Sequence, residues 1–306
     1  MNLRQLKSDS QTREEFLTAR QVRFAKAIVS GDAPTAMQIV DELLVTRQAL
    51  SDIYVGVIAP SLVALGDSWC RGETSTGEEK LATQIVVDQM ERLRALFVAP
   101  VARSPYRVMV ACVEGEHHFI GARMAADLCA SRGWYVDFLG HNVPDPSLIE
   151  MVQRRRPQVL ALSVTMEFGI EHLRSVVDIL SETEPTIRMI VGGGAVDGQS
   201  AAALGLHSRC EIAKDLMSGL GLIGVLLRAH RPKSVLKEYQ IVLARRVRDL
   251  RTQRGWTQEH LAEVTQVTRA CINAVEGGKQ NVSMDILVRM ANALEVAPEK
   301  LLSAEG

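Results

Sequence analysis

The sequence of 306 residues is short of several things. No uninterrupted apolar run reaches the roughly 18 residues that a membrane-crossing helix needs, so no membrane span is expected. The polar start, MNLRQLKSDSQTREE, lacks a signal-peptide core, and a cytoplasmic location is expected. Only five cysteines occur, at 70, 112, 129, 210 and 271, with no C-x-x-C pair. That argues against a disulfide scaffold or structural zinc and fits a reducing compartment. Aromatics make up only 4%, so an aromatic beside polar residues stands out. There is no P-loop, Ser-His-Asp set or paired-carboxylate motif, so catalysis by the protein itself is not expected.

What is present is ordinary globular composition, 47% hydrophobic and 23% charged, enough for two or three domains. The net charge of −1 hides an asymmetry: residues 228–306 hold 13 Lys/Arg against 9 Asp/Glu, and residues 1–227 hold 22 against 27. A basic C-terminal stretch on a near-neutral chain suits either an anionic partner such as nucleic acid or a solvated linker helix.

Three patterns follow one another. Residues 13–98 read as helices: one opened by Thr12-Arg13-Glu14-Glu15 and closed at Gly31-Asp32, then Ala33–Leu44, Leu50–Leu65 and Thr76–Phe97. Residues 107–230 alternate apolar runs with amphipathic ones. Strands are expected at Val108–Val113, Tyr135–Leu139, Val159–Val164, Arg188–Val191 and near Cys210–Ile212. Helices are expected at Ile120–Ser131, Pro146–Arg155, Ile170–Glu182, Gly198–Leu204 and Asp215–His230. That alternation implies a parallel sheet covered on both faces, with ligands bound beyond the carboxyl ends of its strands. Residues 231–240 read as a polar connector, and 241–304 as short helices with tight turns.

The loop after the first strand runs Glu114-Gly115-Glu116-His117-His118-Phe119-Ile120-Gly121. A His pair there also fits an ordinary polar helix start. A neutral imidazole is a good metal ligand when a carboxylate holds its other nitrogen, and Glu116 can do this for His118. The other carboxyl-edge loops supply small residues: Ser163 and Thr165 after the third strand, Gly192-Gly193-Gly194 after the fourth. Their lack of bulk leaves room for a flat or extended ligand.

These residues make the middle segment resemble the cobalamin-binding domain family, whose pattern is D-x-H-x-x-G, then S-x-L, then G-G. Here it reads Glu116-x-His118-x-x-Gly121, Ser163-x-Thr165 and Gly192-Gly193, with Glu for Asp and Thr for Leu. The resemblance implies that His118 is the lower ligand to cobalt and Glu116 its orienting group. It implies that Ser163, Thr165, Gly121, Gly192 and Gly193 line the slot for the displaced nucleotide tail, with His117 beside them. The helical segment around Leu65–Glu73 and Glu78–Thr83 resembles the cap of cobalamin photoreceptor regulators of the CarH type. In that type a Trp is followed ten positions later by Glu and then His. Here Trp69 and Glu79 match, and Lys80 stands where the His would be. Taken alone, Trp69 equally suits packing between helices. The missing His leaves His117, His141 and His172 as alternatives.

Residues 241–302 resemble the Cro/repressor family of helix-turn-helix domains. The signature is L-R-x-x-R-G-W-T-Q-E-x-L-A, then V-T-R-x-x-I-x-x-V-E-x-G, then L-x-x-x-A-x-A-L-E-V. Thr257, Thr268 and Ser283 are candidate helix caps. By the resemblance Gln258 contacts a phosphate, and Thr268, Arg269, Ala270, Asn273 and Ala274 face the major groove, with Ile272 and Val275 packed inward. Gln266 stands where the turn often has Gly. A helical module for protein contacts fits the same pattern.

The expected architecture is a multidomain α and α/β chain. It comprises a four-helix bundle cap (1–100), a flavodoxin-like doubly wound parallel five-stranded sheet (101–230), and a linker with an all-α helix-turn-helix domain (231–306). The expected cofactor is cobalamin, adenosylcobalamin foremost, with haem or a bilin as alternatives on a similar fold. The expected partners are a double-stranded DNA operator and further copies of the chain, as dimer or tetramer. The expected role is a light-responsive transcriptional regulator. A corrinoid methyl carrier is the enzymatic alternative. The CarH type carries its DNA-binding domain first, the reverse of this order.

Overall fold

The computed structural model describes residues 3–98, 104–229 and 233–302, with side chains of residues 3–12 and 233–238 left aside. The chain forms two compact units, residues 1–229 and 230–306.

The first unit opens with four helices: α1 (Leu3–Val29), α2 (Ala33–Val45), α3 (Leu50–Cys70) and α4 (Thr76–Phe97). α1 starts nine residues before the expected capping box, so Thr12-Arg13-Glu14-Glu15 lies inside the helix. A capping pattern does not stop a helix when the residues before it are themselves good helix formers. α2 is capped by Asp32, whose Oδ1 accepts the Thr35 N–H at 3.0 Å. α4 opens with a reciprocal Ser75–Glu78 box. α3 outruns its expected end at Leu65 because Gly66 continues the turn. By length and composition alone it could cross a membrane, but Ile53, Tyr54, Val57, Ile58 and Leu65 are buried in the bundle core. A π-helical stretch, Tyr54–Ile58, interrupts it. Gly56 there lies so close to α1 that a Cβ would stand 3.0 Å from Leu17.

The sheet follows: β1 (Arg107–Cys112), β2 (Tyr135–Gly140), β3 (Val159–Ser163), β4 (Arg188–Gly192) and β5 (Cys210–Ile212), all parallel in the order 2-1-3-4-5. That is the flavodoxin-like order, with the strand order reversing between β1 and β3 while every strand stays parallel. Buried apolar strands such as β1 and β3 carry no alternation because helices cover both faces. α5 (Ile120–Ser131) and α8 (Leu216–Ala229) lie on the face shared with the bundle, and α6 (Asp145–Arg155) and α7 (Gly169–Thr183) on the other. The helix expected over Gly198–Leu204 does not form: a 3-10 turn, Gly194–Val196, is followed by turns. Gly198 and Gly205, both at positive φ, break it up.

One buried group ties the bundle to the sheet. Asp127 of α5 is fully buried and accepts hydrogen bonds from Tyr54 Oη at 2.9 Å and Arg123 Nε at 3.3 Å. Arg94 of α4 pairs with the same carboxylate. Burial, with that carboxylate beside it, pushes the Tyr54 phenol far up.

The second unit holds α9 (Lys233–Gln253), α10 (Gln258–Thr265), α11 (Arg269–Glu276), α12 (Met284–Ala293) and α13 (Pro298–Leu302) around a core that includes Leu243, Val247, Leu261, Ile272, Val275 and Leu294. From Lys233 onward the expected polar connector is the beginning of α9, since Lys, Leu and Glu are good helix formers. Its residues 231 and 232 lie outside the described residues. Thr257, Thr268 and Ser283 cap α10, α11 and α12. Gln266 adopts the left-handed conformation, φ 53°, that the missing Gly would have taken freely.

Removing the Asp127 carboxylate leaves two guanidinium groups and a phenol short of a partner. Asp127→Ala is expected to cost about 3–5 kcal/mol. Tyr54→Phe, which removes one bond to a charged acceptor, is expected to cost about 1.5–3 kcal/mol. Urea unfolding of the full chain followed by tryptophan fluorescence measures both, and equal small effects would contradict this account.

Candidate functional site

At the carboxyl edge of the sheet, the loop after β1 turns at Gly115, φ 80°, and drops Glu116 into the interior. The Glu116 side chain is fully buried. One oxygen lies 2.7 Å from His118 Nδ1 and 2.7 Å from the His118 backbone N–H. The other accepts the N–H groups of Thr165 at 2.6 Å and Met166 at 3.0 Å. Burial pushes the carboxyl up. The backbone donors of His118 and Thr165, the His118 ring and the Met166 N–H together outweigh burial and hold it below the ordinary 4.5.

The extra methylene of Glu over Asp is thereby put to use. It lets one carboxylate orient the imidazole and clamp the loop after β3. His118 is held by Nδ1, and its ring is 61% exposed, so Nε2 is the nitrogen left for a metal.

Beside His118 opens a cavity of about 370 Å³, lined among others by Gly121, Ala122, Ala125, Ser163, Thr165, Gly192 and Gly193. Its glycines do different things. A Cβ on Gly193, at φ 117°, would sit 2.2 Å from the Val164 carbonyl oxygen, so no side chain fits that loop. A Cβ on Gly121 would meet nothing within 4 Å, and one on Gly192 only Ala213 at 3.9 Å. The fold tolerates side chains at these two positions, and the space in front of them is what their absence preserves.

Six of the expected cofactor residues, His118, Gly121, Ser163, Thr165, Gly192 and Gly193, thus line one cavity, with Glu116 behind His118. The other three lie outside that lining. His117 is exposed, its ring 5.6 Å from that of His141. Trp69, in the last turn of α3, is 48% exposed and donates Nε1–H to Thr76 Oγ1 at 3.3 Å, which sets aside core packing. Glu79 accepts the Thr83 hydroxyl at 3.0 Å and pairs with Lys80 Nζ at 3.1 Å. Of the three alternative histidines, His172 is bound to Asp145 at 2.9 Å, and that hydrogen bond raises its pKa. Sequence reasoning missed Asp197, Lys214 and Asp215, which also line the cavity. They follow β4 and β5, and the carboxyl-edge rule alone could have flagged them.

In the second unit Arg269, Ala270 and Asn273 are exposed on α11, Ala274 is half-buried, and Ile272 and Val275 are buried. Arg269 pairs with an exposed Glu259 at 3.4 Å. Two expected DNA contacts are already engaged. The Thr268 hydroxyl accepts the Cys271 N–H at 3.1 Å, and Gln258 Nε2 donates to Glu276 at 2.8 Å. Glu276 is buried, which pushes its carboxyl up, but Arg251 at 2.6 Å and Gln258 hold it below the ordinary value.

Comparison with known proteins identifies both units. A B12 binding domain model matches residues 106–212, a second B12 binding domain model residues 21–94, and a helix-turn-helix domain model residues 242–304. The chain is similar to the HTH-type transcriptional repressor CarH of Myxococcus xanthus, 29% identical over 62% of this chain; the match spans 60% of that repressor's length. It is also similar to the dimethylamine corrinoid protein of Methanosarcina barkeri, 23% identical over 68% of this chain and 96% of that protein. The structure of the Methanosarcina barkeri monomethylamine corrinoid protein superposes with a TM-score of 0.57 at 17% identity, over 66% of this chain and 96% of that one, and shares the fold.

Because the Glu116 pKa is depressed on folding, its stabilisation is complete above the ordinary 4.5 and is lost as pH falls through the lower folded value. Glu116→Gln puts an amide NH2 against backbone donors. The stability gap between wild type and this variant is expected to be constant above pH about 4.5 and to narrow below it. Urea unfolding repeated from pH 7 to 3.5 measures the gap; a gap independent of pH would refute the clamp.

Proposed function

We propose that this chain, a CarH-like cobalamin-binding transcription regulator, lets the state of a cobalamin held by its first 229 residues control DNA binding by its C-terminal helix-turn-helix. The observation that carries the reading is the glycine-lined cavity beside a histidine whose other nitrogen is fixed by a buried carboxylate. The donor set fits a corrinoid: an imidazole nitrogen for cobalt, and a cavity of largely small and apolar residues with the hydroxyls of Ser163 and Thr165 for an extended tail.

In this reading His118 Nε2 would be the nitrogen that ligates cobalt, and Glu116 would hold its imidazole in place. Ser163, Thr165, Gly121, Gly192 and Gly193 accept the nucleotide tail, with His117 at the margin. Trp69 and Glu79 would contact the bound cofactor from the helical segment, where Lys80, tied to Glu79, would serve as a charge rather than as a ligand. Bound adenosylcobalamin would supply a cobalt–carbon bond that light can break. The chain then needs contacts that differ between the two states, and Trp69 and Glu79 are the candidates. Arg269 and Asn273 read base edges, with Thr268, Ala270, Ala274 and Gln258 shaping the helix against the groove. Two half-sites require two copies, so the chain acts as a dimer or tetramer on a double-stranded operator in the cytoplasm, through working domains 1–100, 101–230 and 231–306.

No catalytic set is assigned, and the protein is read as a regulator rather than an enzyme. The second reading, a methyl carrier, is favoured by the match covering 96% of the dimethylamine corrinoid protein. The helix-turn-helix unit has no place in such a reaction. The two B12 binding domain matches favour a corrinoid over haem or a bilin.

The test is an absorption spectrum with adenosylcobalamin in the dark and after green illumination, with size-exclusion runs on both samples. Corrinoid retention is expected in wild type and lost in His118→Ala. Gly121→Leu is expected to keep its thermal stability while losing retention, because Gly121 lines the cavity and a Cβ there meets no atom within 4 Å. Retention undiminished in both variants would overturn the site. A light-induced change of assembly supports the photoreceptor reading, and its absence supports a cobalamin-level sensor or a carrier.

Arg269→Ala is expected to weaken discrimination at one base pair by about 1–3 kcal/mol, roughly 5- to 150-fold. The assay uses duplexes enriched from a random pool by the wild-type protein. Unchanged base preference would remove Arg269 from the reading surface.

A further inference from the structure

Three side chains at the same sheet edge lie outside the cavity and are given no part in the function proposed above. Glu114 comes from the loop after β1, Asp145 is the first residue of α6, and His172 lies in the first turn of α7. His172 Nδ1 is 2.9 Å from Asp145 Oδ2, and Glu114 Oε2 accepts the Asp145 N–H at 2.9 Å. One ligand atom from each residue lies within 4.8 Å of the other two.

A second observation concerns the Asp145 carboxylate itself. Asp145 Oδ1 is buried and has no hydrogen-bond partner. A carboxylate oxygen withdrawn from water with no donor is costly, and a bound cation removes that cost. The imidazole distinguishes this cluster from a patch of surface acids. One nitrogen and two carboxylate oxygens suit borderline metals such as zinc, manganese or ferrous iron better than calcium, which prefers oxygen alone. Ligand atoms of a tetrahedral zinc stand about 3.4 Å apart, given metal–ligand distances of about 2.1 Å. The half-exposed Glu114 and His172 side chains can close the remaining ångström by rotation.

We propose that Glu114, Asp145 and His172 form a site for a divalent transition-metal ion, completed by water. The ion joins three separate connections. Glu114 is two residues from Glu116, and α7 follows directly on the loop whose Thr165 and Met166 N–H groups hold Glu116. Occupancy therefore braces, from the opposite face of the sheet, the loop that presents His118. The site does not depend on the cobalamin reading.

The experiment is a calorimetric titration of the full-length, tag-free, cofactor-free chain with zinc chloride, in a His118→Ala background that removes the cavity's own imidazole. One equivalent per chain is expected, with a rise in melting temperature. Asp145→Asn and His172→Ala are each expected to weaken binding at least tenfold. Glu114→Gln is the decisive variant, because its amide oxygen still accepts the Asp145 N–H. It keeps the local hydrogen bond, so a tenfold loss there with unchanged circular dichroism reports on ligation rather than folding. No stoichiometric binding in the parent, or equal affinity in parent and Glu114→Gln, would overturn the site.

Discussion

A single buried carboxylate, Glu116, holds the site together. It sits at zero exposure and meets four donors from two loops: the His118 ring and backbone, and the Thr165 and Met166 N–H groups. An ionised oxygen in such a place is stable only while every lone pair is matched. The arrangement is therefore all or nothing. The loop after β1 cannot shift without uncovering the carboxylate, and neither can the loop after β3. Gly193 adds the third constraint, since its backbone packs on Val164 where a Cβ would clash. The cavity is the space these three loops leave when each is fixed by the others. His118 is rigid for a reason that lies outside its own side chain.

Asp127 has the same role between the sheet and the bundle. Tyr54 and Arg94 reach it from the bundle, and Arg123 reaches it along α5. α5 begins at the cavity, where Gly121, Ala122 and Ala125 form its wall, and carries Asp127 at the next turn. One helix thus touches the cavity at one end and the bundle's buried charge further along. The π-helical stretch at Tyr54–Ile58 is the irregularity that accompanies this contact. A change at the slot that moved α5 would be felt by α3 and α4 through a carboxylate with no slack in its hydrogen bonds. The continuity is spatial, and it identifies the elements that a two-state mechanism in this unit would have to move.

Much of this was legible in the residues, and the reasons differ by element. β1, β3 and β4 are short apolar runs bounded by loops, so their length and setting leave little choice. Glu116, His118 and the glycines at 192 and 193 were legible because the parallel sheet dictates which loops meet. Asp127 was not, although a charge between Ala126 and Leu128 on an apolar helix face was the signal. What its partners would be depends on which bundle helices pack there, and local sequence does not encode that. The early start of α1 and the helical character of residues 233–240 were missed for another reason: polar residues with no apolar periodicity read as connectors even where the chain continues as helix. Gly198–Leu204 failed in the opposite direction. Its helical composition lost to two glycines at positive φ.

The helix-turn-helix unit shows how internal bonding narrows what is left for a partner. Thr268 and Gln258 carry hydrogen-bonding groups suited to DNA, yet one caps α11 and the other helps satisfy a buried Glu276. Releasing either costs the unit an internal bond, so both serve better as fixed scaffolding than as readers. Arg269 and Asn273 are different. Asn273 is exposed, and the Arg269–Glu259 pair is exposed on both sides, an interaction worth little in water. A guanine edge or a phosphate can displace Glu259 at small cost. The two side chains left free to meet a partner therefore share one helix face, held in register by groups that never need to leave their intramolecular partners.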